Sequence, residues 1–231
     1  MHWARVISHC TNLVSLETRS SMCRPGMSDL LLIGGGGHCR SSIDVIEAEG
    51  KYRIRGIVQP VSDLTDRIFG YPVIGSDEDL PFLLQETPKV LITVGQIRSP
   101  EIRFRLYEQL KKLGGKLPSI VSPSAYCSKY AELNEGTIVM HGAILNTGAS
   151  IGANCIINSQ ALIEHDVVVS DHCHISTGAK LNGGVNIGKG SFIGSGAILK
   201  EGIVIGENVI ISAGQVILRD VPSGAVIKHE K

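Results

Sequence analysis

The sequence is poor in aromatic residues and carries no excess of charge of either sign. Phe, Trp and Tyr make up 4% of its 231 residues, and 22 Lys and Arg are matched by 22 Asp and Glu. Balanced charge argues against a surface that binds nucleic acid or an anionic membrane. No apolar run approaches the roughly 18 residues that span a bilayer. We therefore expect one or two domains, each with its own core, and no membrane segment.

The six cysteines follow no metal-binding or redox spacing. No C-x-x-C motif occurs, and the cysteines are scattered through apolar sequence at positions 10, 23, 39, 127, 155 and 173. A chain of this length does not depend on disulfides, so we interpret the cysteines as reduced and mostly buried small residues. This interpretation predicts a cytoplasmic protein.

The first 26 residues differ from the rest of the chain. They contain the only tryptophan, Trp3, show no sustained periodicity, and lack the apolar region and cleavage site of a signal peptide. A clean strand pattern begins only after Met27. We therefore expect residues 1–26 to be an extension, or the product of an upstream start codon, that adds nothing to the fold.

Residues 27–121 alternate strand and helix patterns. Helices are predicted by an apolar stripe that ends at Gly50, by a capping box that starts at Ser76, and by Ser99 and Pro100 in sequence. Continuous apolar runs predict buried strands at residues 30–33, 54–58, 90–94 and 117–121. This order predicts a small Rossmann-like β-α-β domain with a parallel sheet.

From residue 122 to the end at 231, a six-residue repeat replaces this alternation. Every sixth residue from Leu133 to Ile217 is Leu, Ile or Val, and a second, smaller side chain recurs four residues after each. One large and one small inward side chain make one short face, and three faces close a coil, so the repeat predicts a parallel β-helix of about five coils. Corners that need permissive dihedral angles are expected at Gly152, Gly188, Gly194 and Gly206.

Histidines occur in the repeat at positions that do not serve its period. His165 lies two residues after the inward-facing Ile163 and should face outward, where an imidazole can accept a proton near neutral pH. Asp166 could hold its tautomer, although adjacent strand residues usually point to opposite faces. Exposed histidines that are merely solvated fit the same pattern.

A metal site is a rival interpretation, because His141, His172 and His174 lie close to His165 in the sequence. Zinc would need three imidazoles that converge from different coils. Carbonic anhydrases of such a fold place two metal ligands five residues apart on one coil, and this sequence contains no such pair. We therefore predict no metal site.

Four glycines at residues 34–37 follow the first strand and precede a helix, the arrangement in which backbone N–H groups bind phosphate. Gly34 and Gly36 fit the dinucleotide fingerprint G-x-G-x-x-G, but its third position is Cys39, and no acidic residue follows the second strand. A tight turn without a ligand is the alternative.

Three motifs together resemble one family. They are Gly-Gly-Gly-Gly-His at 34–38, Gly-Tyr-Pro-Val-Ile-Gly at 70–75, and Asn158 followed by Ile-Glu-His-Asp at 163–166. From about residue 28 to 222 the chain resembles the sialic-acid O-acetyltransferases and nucleotide-sugar N-acetyltransferases of the NeuD/PglD type. The resemblance implies a nucleotide-sugar-binding α/β domain followed by a left-handed parallel β-helix.

The resemblance also implies an activity: acetyl transfer from acetyl-CoA to the amino group of a nucleotide-activated amino-deoxy sugar, without a metal, in a homotrimer whose active sites lie between two β-helices. His165 would be the general base, Asp166 would increase its basicity, and the N–H of Gly183 would stabilise the oxyanion. Acetyl-CoA is expected beside His174, Ser195 and Ala213. The nucleotide sugar is expected beside Gly36, Gly37, His38, Gly95 and Asn158.

Other functions remain open at this point. Gln59 and Pro60 stand where family members that bind uracil often carry acidic residues, which leaves the base open between uridine, guanosine and others. O-acetylation of sialic acid or a related sugar would use the same base on a hydroxyl. A trimeric nucleotide-binding scaffold without catalysis is the alternative outside enzymes.

Overall fold

The computed structural model describes residues 27–60 and 66–228, so the predicted extension at 1–26 lies outside the described residues. The first domain has a five-stranded sheet and three helices. Its strands are β1 (Ser28–Ile33), β2 (Tyr52–Val58), β3 (Arg67–Ile68), β4 (Tyr71–Gly75) and β5 (Val90–Ile92). Its helices are α1 (Gly37–Glu49), α2 (Leu80–Glu86) and α3 (Glu101–Lys112), with a 3-10 turn at Asp77–Asp79 before α2.

The sheet order is β3-β4-β2-β1-β5, parallel except for the β3–β4 hairpin. β1 lies between β2 and β5, and its last four residues are buried on both faces, as their continuous apolar run predicts. α1 packs on one side of the sheet, and α2 with α3 on the other. The predicted strands near 30–33, 54–58 and 90–94 are confirmed, whereas the hairpin is not foreseen by the sequence pattern.

The second unit is a β-helix whose three faces are parallel sheets of two-residue strands. Face 1 contains β6 (Ile120–Val121), β9 (Ile138–Val139), β12 (Ile156–Ile157), β15 (His174–Ile175), β18 (Phe192–Ile193), β21 (Ile210–Ile211) and β23 (Val226–Ile227). Face 2 contains β7 (Tyr126–Cys127), β10 (Ile144–Leu145), β13 (Leu162–Ile163), β16 (Lys180–Leu181), β19 (Ile198–Leu199) and β22 (Val216–Ile217). Face 3 contains β8 (Glu132–Leu133), β11 (Ser150–Ile151), β14 (Val168–Val169), β17 (Asn186–Ile187) and β20 (Val204–Ile205).

The interior follows the six-residue repeat. The large inward side chains from Val139 to Ile217 are buried, and the small residues between them, such as Ala143 and Ala179, are fully buried. Each coil covers its inward side chains only with those of its neighbours and its own opposite faces. The predicted left-handed β-helix is confirmed.

One predicted strand has a different partner. Residues 117–121 were expected to add a fourth strand to the first sheet, but Ile120–Val121 pairs with Ile138–Val139 on face 1 of the β-helix. Lys116, just before the predicted strand, forms one isolated bridge to Lys89 of the first domain. A short apolar run fits either sheet, because both bury it, and the pattern alone does not name the neighbour.

The prediction that four corner glycines are needed for their permissive dihedral angles is wrong. Positive φ occurs at other corner glycines, for example 70° at Gly148 and 73° at Gly190, and not at Gly188 or Gly194. A Cβ at Gly188 would lie 2.5 Å from the carbonyl carbon of Gly206, and a Cβ at Gly194 would lie 2.5 Å from the nitrogen of Ala213. Glycine is required there because successive coils approach too closely for a side chain; Gly152 and Gly206 are constrained in the same way.

The repeat loses its phase at the far end. The last strand of face 1 begins at Val226 rather than at residue 228, the next position eighteen residues after Ile210. Before it, face 3 contributes only an isolated bridge between Ile205 and Val221. The final coil is therefore irregular.

The first domain covers the early coils of face 1. The outward side chains of Ile120, Ile138 and Ile156 are fully buried in one cluster with Ile43 and Ile46 of α1. This packing orients α1 so that its amino end points toward the later coils. None of the helices in the described residues is long and apolar enough to cross a membrane.

Candidate active site

His165 lies in the turn between β13 and β14, with 59% of its side chain exposed. Its Nδ1 is 3.0 Å from Oδ2 of Asp166. Asp166 has a left-handed backbone (φ 59°), which removes the usual strand alternation and lets two neighbouring side chains meet. The hydrogen bond that Nδ1–H of His165 donates to the Asp166 carboxylate raises the pKa of His165. The arrangement leaves Nε2 free to accept a proton.

Gly183 lies against the His165 ring from the next coil. A Cβ at Gly183 would be 2.5 Å from Nε2 of His165, so any side chain would displace the imidazole. The N–H of Gly184 donates to the carbonyl of His165 at 2.9 Å and holds the two turns together. Among the described residues, the N–H of Gly183 has no acceptor. A proton acceptor and a free donor therefore share one small area.

His174 points outward from face 1 but is buried beneath the first domain. Its Nδ1 lies 2.5 Å from the carbonyl oxygen of Gln96, which can only accept, so Nδ1 carries the proton. Nε2 then accepts from the Asn158 amide at 3.2 Å. Burial lowers the pKa of His174 to about 4, so the ring is neutral at physiological pH. The structure thus places Asn158 beside His174 and not beside His165.

Ser195 and Ala213 occupy equivalent positions of successive coils, on the edge between faces 1 and 2. The Ser195 hydroxyl is 2.9 Å from that of Ser176. The carbonyl of Ser195 accepts the N–H of Gly214 at 2.8 Å, which ties it to the coil of Ala213. The two residues lie in one row along this edge.

The glycine run divides into two pairs. Gly34 has φ 105°, which favours glycine, and a Cβ at Gly35 would overlap the buried Gln59 side chain and displace it, so packing and backbone conformation account for this pair. Gly36 and Gly37 are exposed, have no positive φ, and have nothing within 4 Å of a Cβ position. They form the amino end of α1, which has no side-chain cap and no acidic residue in its first turn. Packing does not explain the second pair, and an uncapped helix terminus of this kind can bind an anion.

His38 connects this loop to the β-helix. Its Cβ lies 3.6 Å from the Cβ position of Gly95. Burial, then the charges of Arg103 and His174, lower the pKa of His38 to about 3. Its Nε2 is buried and has no hydrogen-bond partner among the described residues. His38 is therefore a neutral ring with one unused polar atom.

The predicted residues fall into three places within one chain. His165, Asp166 and Gly183 lie on the edge between faces 2 and 3. His38, Gly36, Gly37, Gly95, Asn158 and His174 lie on or above face 1. Ser195 and Ala213 lie on the edge between faces 1 and 2. Because the edge between faces 2 and 3 is opposite face 1, one chain does not bring His165 to its own glycine loop.

The sequence pattern missed Arg103 and Gln96. The sequence that follows Pro100 favours Ile102, Leu106 and Leu110 as the apolar face of this helix, but Ile102 is 55% exposed and Arg103 is buried with the two leucines. The i, i+3, i+7 spacing of residues 103, 106 and 110 was the available signal. Gln96 donates to the carbonyls of His172 and Gly190 across the domain boundary, and no sequence pattern marks such a contact.

The two remaining histidines of the described residues, His141 and His172, have structural partners. His141 Nε2 is 2.8 Å from Asp44 of α1, and its Nδ1 is 2.6 Å from the Ser122 hydroxyl. His172 Nδ1 accepts from the Asn154 amide at 2.9 Å. In the part of the chain that the structure describes, no three His, Cys, Asp or Glu residues are grouped so that they could hold a metal ion.

Two family models match the chain: the PglD N-terminal domain over residues 29–110, and the hexapeptide repeat of succinyl-transferase over residues 184–219. Perosamine N-acetyltransferase from Caulobacter crescentus, solved as a mutant with CoA and GDP-perosamine, is 32% identical. That match has a TM-score of 0.81 and covers 86% of this chain and 92% of that chain. Curated proteins gave no match.

The acetyltransferase domain of PglB from Neisseria gonorrhoeae, in complex with acetyl coenzyme A, is 33% identical, with a TM-score of 0.80 and coverage of 87% of this chain and 96% of that chain. WeeI from Acinetobacter baumannii shares the fold at 22% identity, with a TM-score of 0.71 and coverage of 87% and 96%. With identity above 30% over nearly the full length of two solved acetyltransferases, this chain belongs to the PglD-like family of hexapeptide-repeat sugar acetyltransferases.

Proposed function

We propose that this protein transfers an acetyl group from acetyl-CoA to the amino group of a nucleotide-linked amino-deoxy sugar. The observation that carries the proposal is the His165–Asp166 pair beside the free N–H of Gly183. Similarity to an N-acetyltransferase solved with CoA and GDP-perosamine supports this substrate class.

The chemistry needs one proton acceptor and one hydrogen-bond donor. Nε2 of His165 takes the proton that the sugar amine loses as its nitrogen attacks the thioester carbonyl, because Nδ1 is held by Asp166. The N–H of Gly183 stabilises the negative charge that develops on the carbonyl oxygen. His165 then returns the proton to the departing thiolate. Such a base contributes about 10²–10⁴-fold to the rate, and such a donor about 10²–10³-fold.

The three separate groups of residues favour a site shared between chains in a homotrimer. Face 2 lies between the edge of His165 and the edge of Ser195 and Ala213. Its outward side chains are mainly apolar, and Tyr126, Ile144 and Val216 are exposed on it. If face 2 turns toward a threefold axis, the His165 edge of one copy meets the Ser195 edge of the next.

In this arrangement the ligands divide between the domains. The nucleotide sugar binds at Gly36 and Gly37, and acetyl-CoA lies along the edge of Ser195 and Ala213. A cytoplasmic location is part of the proposal, supported by the free cysteines among the described residues, three of which are buried.

A thiol-release assay with acetyl-CoA tests the function. The panel contains UDP- and GDP-linked amino sugars and free nonulosonic acids. We expect release only with amino-sugar nucleotides, and loss of release in His165→Ala. Glu132→Ala, an exposed change on face 3, is the matched control and should keep full activity.

Other results would decide for the alternatives. Turnover only with free acids would favour O-acetylation. No release with any acceptor, together with intact assembly and nucleotide binding, would favour a non-catalytic scaffold.

A further inference from the structure

Arg103 on α3 is a charged residue enclosed between the two domains. It is 1% exposed, and its Nη1 donates to the carbonyls of Ile92 and Val94 at 2.9 and 2.7 Å. Its Nη2 donates to the backbone carbonyl of Asn154 at 3.0 Å and contacts the side-chain Oδ1 of the same residue at 2.5 Å. Its Nε is buried without a partner in the described residues.

Within residues 27–60 and 66–228, no carboxylate forms an ion pair with this charge. Each ion pair found in the described residues involves other side chains, and the acceptors around Arg103 are neutral carbonyl and amide oxygens. Burial lowers the pKa of Arg103 only to about 10, so the guanidinium stays charged at neutral pH. A buried charge without a counter-ion is costly, and a neutral side chain could fill this space.

The charge lies directly behind the glycine loop. Val94, which accepts from Arg103, is the residue that a Cβ at Gly34 would touch, 2.5 Å from its Cγ2. The Thr93 hydroxyl donates to the carbonyl of Gly34 at 2.7 Å. The charge of Arg103 is also felt at His38, in the first turn of α1.

We propose that Arg103 supplies the fixed positive charge that binds the diphosphate of the nucleotide sugar at Gly36 and Gly37, acting through space and without touching the phosphates. This inference rests on the proposed function. The charge of Arg103 acts on His38 at the amino end of α1, where the helix dipole has the same sign, and the first turn of α1 contains no acidic residue. The bound diphosphate would then be the counter-ion that the described part of the chain does not provide.

The competing explanation is that Arg103 only joins the domains. A series of ligands with increasing charge separates the two roles. A structural defect should weaken the binding of every ligand alike, whereas loss of the Arg103 charge should weaken the binding of each ligand in proportion to that ligand's charge. Uridine, UMP and UDP form one series, and guanosine, GMP and GDP the other. Calorimetry measures the Kd of each for wild type, Arg103→Met and Arg103→Lys.

We expect Arg103→Met to raise the Kd of the diphosphate about tenfold or more, because the phosphates lose the Coulomb attraction of a full positive charge in a partly desolvated environment. The Kd of the monophosphate should rise less and that of the nucleoside little, and Arg103→Lys should keep the wild-type ratios. An equal rise for all three ligands would overturn the proposal.

Asn154→Asp keeps the test valid if Arg103→Met does not fold. It places a carboxylate at the oxygen that already contacts Arg103, and Asp tolerates the left-handed backbone of this position (φ 54°). Because the new carboxylate cancels the charge of Arg103, binding of the diphosphate should weaken and binding of the nucleoside should not change. Unchanged diphosphate binding contradicts the proposal. If wild type binds neither nucleotide series, the proposed function fails instead.

Discussion

At the scale of single residues, the turn conformation of Asp166 accounts for the chemistry proposed for His165. Asp and Asn are among the few residues that adopt a left-handed backbone at low cost. Asp therefore serves both the corner of the coil and the hydrogen bond to Nδ1. Asn would keep the corner and the contact but lose the charge, which separates the two contributions.

The pH dependence of Asp166→Asn tests this account. The carboxylate stabilises the imidazolium and raises the pKa of His165, so its removal lowers that pKa. Because the base acts unprotonated, the acid limb of kcat/KM should move to lower pH, and the plateau should fall because the base is weaker. An acid limb that stays in place in pH–rate profiles would mean that another group titrates there.

At the scale of elements, the two pairs in the glycine run predict opposite effects of substitution. Gly36→Val should leave the melting temperature unchanged, since its Cβ position is open, and raise the KM for the sugar nucleotide without changing the KM for acetyl-CoA. Gly35→Ala should lower the melting temperature, because its Cβ meets Gln59. Thermal melts and steady-state kinetics measure both. A raised KM for acetyl-CoA in Gly36→Val would reverse the assignment of the two ligands.

The β3–β4 hairpin contains an unfavourable turn residue. Phe69 and Gly70 join its strands with φ of 48° and 88°, the type I′ geometry that prefers Asn-Gly. Phe69 is 68% exposed, so little packing offsets the strain. Phe69→Asn should raise the free energy of unfolding by about 1 kcal/mol. Urea titration measures this; Phe69→Ala, which keeps a strained side chain, is the control and should show no such gain.

Elements with a strong period were predictable, and contacts between them were not. The inward row from Leu133 to Ile217 identifies the β-helix because each coil repeats the same packing requirement. The hairpin at Phe69 carries no turn signal, since Phe is unusual in such a turn. The contact between Arg103 and Asn154 joins residues 51 positions apart, and only the packed domains define it.

The candidate site was predictable in its residue types, but not in its arrangement. The exposure of His165 follows from its distance to Ile163, and its contact with Asp166 depends on a backbone angle that the pattern does not show. That Asn158 pairs with His174 follows from the stacking of coils, which sets residues about eighteen positions apart side by side.

At the scale of the whole molecule, the opposite placement of His165 and the glycine loop predicts that two defective chains restore each other. His165→Ala and Gly36→Val should each have little activity at low sugar-nucleotide concentration. Co-expressed in equal amounts and purified through two different tags, they should regain about one third of wild-type activity, because in each mixed trimer one of the three shared sites combines two intact halves. Thiol release from the doubly tagged assemblies measures this. Activity no higher than the sum of the separate variants would place each site within one chain.

The irregular last coil has a consequence for association. A stack of identical coils ends in open strand edges, onto which the first coil of another molecule could add, and repeated addition would build a fibre. Here Val226 is out of phase with the repeat, and face 3 ends in the single bridge of Val221. An incoming coil cannot match all three faces at once, so growth along the axis is blocked at this end, even though every earlier coil would serve as a template for the next.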